Sequence, residues 1–284
     1  MHWQTSRFSI DLSRPRVMGI VNVTPDSFSD GGQHATSSAA MAHCEALLRD
    51  GADILDIGGE STRPGAPPVS LEEELARVLP VIRHAVTLGV PVSVDTYKPA
   101  VMQAALDLGA DIINDVWALR WRSDASGKTG QDVVAAHSSC GVCLMHMHRD
   151  PQTMQSAPMA GDVVPQVLSF LQQLALDLKG LGVDSTRICL DPGIGFGKTV
   201  RQAHDPVLQP GAFQIAHPVE RRPLACGELA DALDDGRDHV GFRCSETLAF
   251  GKFTDPGADL ERKHLVGGGG AVHARGSPFW QAGL

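Results

Sequence analysis

Six short apolar runs, each closing on polar residues, constrain this chain more than any other feature. They are VMGIVNV at 17–23, DILDIG at 53–58, VPVSV at 90–94, DIIN at 111–114, GVCLM at 141–145 and RICL at 187–190. Runs that are apolar throughout, rather than alternating, belong to strands buried on both faces, the mark of a parallel sheet covered by helices. Stretches of helical spacing lie between them. Residues 37–50 place Ala40, Cys44 and Leu47 on one face and stop at Gly51. Residues 71–88 carry a stripe of Leu75, Val78, Leu79 and Ile82, and residues 99–108 and 163–181 supply two more helices. Six βα repeats fit either an open doubly wound sheet or a barrel. No G-x-G-x-x-G follows the first run, so a Rossmann dinucleotide site is not expected.

The polar ends favour the barrel. Asn22, Thr24, Asp26 and Ser27 follow the first run, and Gly58, Gly59, Glu60, Ser61, Thr62 and Arg63 the second. Asp95 closes the third, Asn114 and Asp115 the fourth, His146 and His148 the fifth, and Asp191 the sixth. Any one of these alone reads best as a helix cap or turn former. Six in succession describe a (β/α)8 TIM barrel with its site at the strand C-termini. Asp95, Asn114 and Asp191 offer carboxylate and amide edges suited to a flat heterocycle with adjacent N–H donors and a carbonyl. Arg63, beside Thr62 and before Pro64, can reach an anionic or aromatic group from a loop. Asn22 is a hard oxygen ligand able to help hold Mg²⁺ beside a phosphate.

Composition narrows the function. The 284 residues are 43% hydrophobic and 20% charged, which fits one α/β domain spanning 1–284. A net charge of -9 argues against nucleic acid, whose binders cluster Lys and Arg, yet leaves room for a small anionic substrate in a local basic pocket. No apolar run approaches the roughly 18 residues of a membrane span, and the first residues show no apolar signal core. A cytoplasmic protein is expected. Cys140 and Cys143 form a C-x-x-C that enters an apolar run, so buried reduced cysteines are expected rather than zinc or redox chemistry.

The segments VMGIVNVTPDSFSDGG, DILDIGGESTRPGA, VSVDTYKPAV, INDV, LMHM and LDPGIGFGKT occur in order over residues 15–199. Together they resemble the dihydropteroate synthase family. The first two are specific signatures, whereas INDV and LMHM alone are weak. The resemblance implies a transferase that condenses a dihydropterin carrying a hydroxymethyl diphosphate with p-aminobenzoate, giving dihydropteroate and pyrophosphate. It assigns Thr62, Asp95, Asn114, Asp191 and Met145 to the pterin, Phe28, Arg63 and Pro64 to loops closing over p-aminobenzoate, and Asn22 to Mg²⁺. Residues 24–32 and 58–67 would be the lids that exclude water. A homodimer is a further expectation, by analogy with barrels that pair through outer helices.

Past Thr199 the texture changes. Val, Ile and Leu number 48 in residues 1–200 and 14 in the remaining 84, and Gly267 to Gly270 is an unbroken glycine run. No β-branched run marks a seventh or eighth strand. The family's Ser-Arg-Lys and Arg-x-His motifs have no match, since the surroundings of Arg221-Arg222 and Arg262-Lys263-His264 differ. A shifted reading frame or divergent replacement after 199 is expected, with little synthase turnover and a non-catalytic pterin-binding remnant as the alternative. Two rivals start from other motifs. His146 and His148 form an H-x-H that a metal-dependent barrel hydrolase would use. GIGFGKT at 193–199 falls one residue short of a P-loop, because Pro192 stands where the first glycine belongs. Pterin-binding methyltransferases share the Asp and Asn positions but lack the VNVTPDSFSDGG lid.

Overall fold

All six apolar runs are strands. The computed structural model describes residues 2–24, 32–61, 66–122, 127–203 and 248–250. An antiparallel hairpin, β1 (His2–Gln4) with β2 (Ser9–Asp11), comes first. Then follow β3 (Arg16–Asn22), β4 (Ile54–Gly58), β5 (Val92–Asp95), β6 (Ile112–Asp115), β7 (Gly141–Met145) and β8 (Ile188–Asp191). Helices α1 (Gly32–Arg49), α2 (Leu71–Ala85), α3 (Pro99–Asp107), α4 (Gly130–Ala136) and α5 (Val164–Gly180) alternate with these strands. A short α6 (Val200–Ala203) and a three-residue β9 (Leu248–Phe250) complete the described elements.

The sheet order is β8-β7-β6-β5-β4-β3-β9, and every pairing is parallel. From β3 to β8 each strand is added on the same side of the last. A doubly wound sheet reverses direction at a switch point, and this one does not. The order is that of a (β/α)8 barrel over its first six strands. β9 runs beside β3, where the last strand of a closed barrel stands. The sequence shows no strand there because LAF is short and has no β-branched residue.

Period-2 alternation sends each strand's residues to two different layers. Outward, Val21, Leu55, Ile57, Val92, Val94, Ile113, Val142 and Leu144 join the main core with Ala40, Cys44 and Leu47 of α1, Val78 and Ile82 of α2 and Leu174 and Leu178 of α5. Each valine, leucine or isoleucine among them contributes about 1.5–3 kcal/mol when fully buried. Inward, Met18, Ile54, Ile112 and Cys143 pack against Trp3, Ile10 and Leu12 from the hairpin segment. The hairpin thus plugs the N-terminal ends of the strands. Trp3 Nε1 donates to the Arg187 carbonyl at 2.9 Å, and Arg7 grips buried Asp111 through two nitrogens, at 3.0 and 2.6 Å.

Several boundaries differ from the sequence reading. The α2 stripe is centred on Val78, Val81, Ile82 and Ala85, while Leu75 and Leu79 are only partly buried. Arg187 belongs to a 3-10 turn rather than a strand, and its buried guanidinium donates to the carbonyls of Cys140, Ser138, Val134 and His137. Seven-residue α4 is too short for a periodic signal, and only its Thr129–Asp132 capping box marks it. Cys140 lies in the outer core and Cys143 in the inner one. Facing opposite layers, they form no joint site, and both are free thiols.

Candidate active site

The inward positions turn from apolar to polar as each strand runs toward its C-terminus. On β3 the buried Met18 is followed on the same face by Ile20 and then Asn22. Asn22 is the register partner of Gly58, Gly58 of Asp95, and Asp95 of Asn114. Met145 partners Asp191 on the two strands beyond. The structure therefore brings Asn22, Asp95, Asn114, Met145 and Asp191 to one end of the sheet. A methyl group added at Gly58 would lie 3.6 Å from Asp95 Oδ2, so the glycine leaves that carboxylate uncovered on one side. Phe28, Thr62, Arg63 and Pro64 lie outside the described residues, as do residues 25–31 of the first proposed lid, residues 62–65 of the second, and the basic clusters at 221–222 and 262–264.

Burial shapes the charges here. Asp191 is pushed above the usual carboxylate range by burial, against which the Gly193 N–H bond to Oδ1 at 2.7 Å and the charge of Lys198 pull it down. Asn114 Nδ2 donates to Asp56 Oδ2 at 3.1 Å. Asp56 is 2% exposed and is likewise pushed up by burial, with the hydrogen bond from Asn114 opposing the shift. The sequence reading passes over Asp56. Its signal is a lone charge inside DILDIG at an inward-facing position. Asp115, read as closing the fourth strand at the site, instead faces outward. It accepts the Trp117 and Leu119 N–H groups at 2.8 and 2.7 Å, the local turn-forming role.

An apolar wall adjoins the polar residues. Val116, Met145, Met147 and Met154 cluster there, with Trp117 and Phe196 packed against them. Thioethers and aromatic faces suit the flat side of a ring whose edges are read by Asp and Asn. At the start of the ESTRPG segment, Lys98 pairs with both Glu60 and buried Glu74, Tyr97 Oη donates to Glu60 at 3.0 Å, and Thr96 Oγ1 donates to Glu74 at 2.6 Å. This network ties the end of β4 to the loop after β5. Sequence reading misses it because neither Glu60 nor Lys98 stands out without the other.

The rival motifs fare differently. His146 Nδ1 is engaged by Lys198 Nζ at 2.8 Å, inside the protein. Among the described residues no group of three or more His, Cys, Asp or Glu is arranged to hold a metal ion. Also among them, no helix is long and apolar enough to cross a membrane.

A model of the pterin binding enzyme family matches residues 18–209. The dihydropteroate synthase of Neisseria meningitidis serogroup C is 49% identical over 272 residues, 93% of this chain and 92% of that protein. The solved structure of Burkholderia cenocepacia dihydropteroate synthase complexed with 7,8-dihydropteroate matches with 50% identity and a TM-score of 0.60, over 70% of this chain and 65% of that one. Xanthomonas albilineans dihydropteroate synthase with 4-aminobenzoic acid matches with 50% identity and a TM-score of 0.61, over 71% and 70%. The chain belongs to the pterin-binding enzymes and, within them, to the dihydropteroate synthases.

Proposed function

We propose that this chain binds a dihydropterin diphosphate at the C-terminal ends of β3 to β8 and condenses it with p-aminobenzoate, releasing pyrophosphate. The observation that carries this reading is the convergence of Asp95, Asn114 and Asp191 beside the methionine-rich wall. Carboxylates accept the N–H edge of a pterin, an amide can serve its carbonyl or ring nitrogen, and Met145 covers a ring face. Thr62, Phe28, Arg63 and Pro64 belong to the same proposal through the matching loop motifs. The relatives' structures hold dihydropteroate and 4-aminobenzoic acid, which supports both substrates.

The reaction breaks the C–O bond to the diphosphate and forms a C–N bond from the arylamine, whose extra proton leaves to solvent. Positioning supplies much of the acceleration. Asn22 fits Mg²⁺ in the mode in which substrate phosphates and water complete the shell, because a single amide oxygen stands at the site end of β3. When bound, Mg²⁺ neutralises charge developing on the leaving group.

Residues 200–284 enter the proposal as a divergent segment lacking the Ser-Arg-Lys and Arg-x-His motifs. The family model's end at residue 209 supports this, while the alignment that runs over 272 residues of the meningococcal protein makes it worth testing. Loss of leaving-group cations lowers turnover on the order of 100-fold or more. Pyrophosphate release by the purified chain with both substrates and Mg²⁺ should therefore be slow, while dihydropteroate binds. Failure to bind dihydropteroate would sink the pterin reading; turnover equal to an intact family member would sink the account of the tail. Gel filtration tests the proposed homodimer, and fractionation the proposed cytoplasmic location.

A further inference from the structure

Two motifs that the pterin reading leaves unused meet inside the molecule. The lysine of GIGFGKT, Lys198, is 2% exposed. Its Nζ lies 2.8 Å from His146 Nδ1, 2.9 Å from the Gly193 carbonyl, 3.1 Å from the His146 carbonyl and 3.3 Å from the Phe196 carbonyl. An ammonium has three N–H donors. Four acceptors already contend for them, and a phosphate would meet a ring of carbonyl oxygens. The lysine is thus no P-loop lysine.

These four acceptors join two loops. His146 follows β7 directly, and Gly193 stands two residues past the end of β8. Gly193 has φ +62°, and a Cβ there would come 1.9 Å from the His146 carbonyl oxygen. The two segments offer their carbonyls to one point, and the Lys198 ammonium bridges them. The same Gly193 donates its N–H to Asp191 Oδ1 at 2.7 Å. The chain of contacts runs from Lys198 through Gly193 to the carboxylate assigned to the pterin.

We propose that Lys198 is a positioning residue for pterin binding: its ammonium clamps the Gly193 turn that aims Asp191. The inference rests on the pterin reading of the site. Other charged or titratable groups around the lysine among the described residues are Asp191 on β8 and His146 and His148 after β7, with Arg120 after β6 acting on His146. Burial and the lysine's charge push His146 down to about 3, so it is neutral throughout the range in which the protein works. Burial lowers His148 and, without neutralising it near pH 7, Arg120. Burial also pushes Lys198 down to about 7, opposed by Asp191. The ammonium therefore loses its proton as pH rises through neutrality, and with it the clamp.

The test is dihydropteroate affinity by calorimetry at pH 6, 7, 8 and 9 for the full chain and for Lys198→Met and Gly193→Ala. The unaltered chain should bind on the order of 10-fold more weakly at pH 9 than at pH 6, after correction for the ligand's own titration measured identically in each protein. Lys198→Met should be at least about 10-fold weaker at pH 6 and should not weaken further as pH rises, because no lysine is left to lose its proton. Gly193→Ala should weaken binding at every pH while keeping the original profile, since the lysine remains. A ratio between the unaltered chain and Lys198→Met that stays constant from pH 6 to 9 would overturn the role of the ammonium. Should Lys198→Met fail to fold, the profile of the unaltered chain decides alone, and a flat one overturns the proposal. No dihydropteroate binding by the unaltered chain at any pH overturns the pterin reading and this role together.

Discussion

The two ends of the same six strands follow opposite rules. At their N-terminal ends the inward residues are Met18, Ile54 and Ile112, sealed by Trp3, Ile10 and Leu12. The polar groups there are paired within the protein: Asp111 with Arg7, and Asp53 with Arg16 and the Val17 N–H. Two to four residues further along the same faces stand Asn22, Asp95, Asn114 and Asp191. A carboxylate at either end costs desolvation. The N-terminal end recovers that cost through internal partners alone, whereas at the C-terminal end, where Asp191 accepts the Gly193 N–H and Asn114 donates to Asp56, the proposed ligand adds to the internal partners. Stability and function are thereby separated along one strand, and substitutions should separate them too.

The sharpest way to break this separation is Trp3→Ala. Trp3 is 2% exposed, caps the inner core and satisfies the Arg187 carbonyl. Its loss should cost about 3–5 kcal/mol, lowering the melting midpoint by on the order of 10 °C. Dihydropteroate affinity, measured by calorimetry well below that midpoint, should stay the same. An unchanged urea midpoint would show that the hairpin does not seal the barrel floor.

The converse change is Asp95→Ala, at the other end. Losing hydrogen bonds to a charged group costs about 1.5–3 kcal/mol, so dihydropteroate should bind roughly 10- to 150-fold more weakly. Stability should move by less than it does for Trp3→Ala, since no large apolar side chain leaves the core. Equal affinity for variant and unaltered chain would remove Asp95 from the pterin site.

This division also explains what could be read from sequence. The strands are legible because burial on both faces forces apolar runs, and the polar end of the sheet because Asp95, Asn114 and Asp191 each close such a run. Asp56 escaped notice because its partner Asn114 is 58 residues away, and a buried hydrogen bond leaves no trace in local spacing. Lys198 and His146 stand out in the sequence only as part of a near P-loop and of an H-x-H, because a motif shows residue types but not which acceptors surround them. Asp115 closes the same run as Asn114 in the sequence, yet period-2 alternation turns it to the other layer.

Asp115 supplies the smallest effect and the test of that last distinction. Its carboxyl is pushed up to about 7, chiefly by burial, against two N–H bonds from Trp117 and Leu119 and the charge of Arg120. In the unfolded chain the group ionises near the ordinary value of 3.8. Between those two values the folded state holds a proton that the unfolded state has released, so stability falls as pH rises through that window. The contribution is fully present below about 3.8, and is lost by the time pH has passed about 7. Asp115→Asn removes the titration and gives up one of the two acceptors, at about 1 kcal/mol. Urea unfolding at pH 4, 6 and 8 should show the unaltered chain's advantage over the variant shrinking with pH, while dihydropteroate affinity is the same for both. A stability gap that does not vary with pH would contradict the burial of an ionisable carboxyl there. A loss of affinity would return Asp115 to the site and blur the line between the two faces of β6.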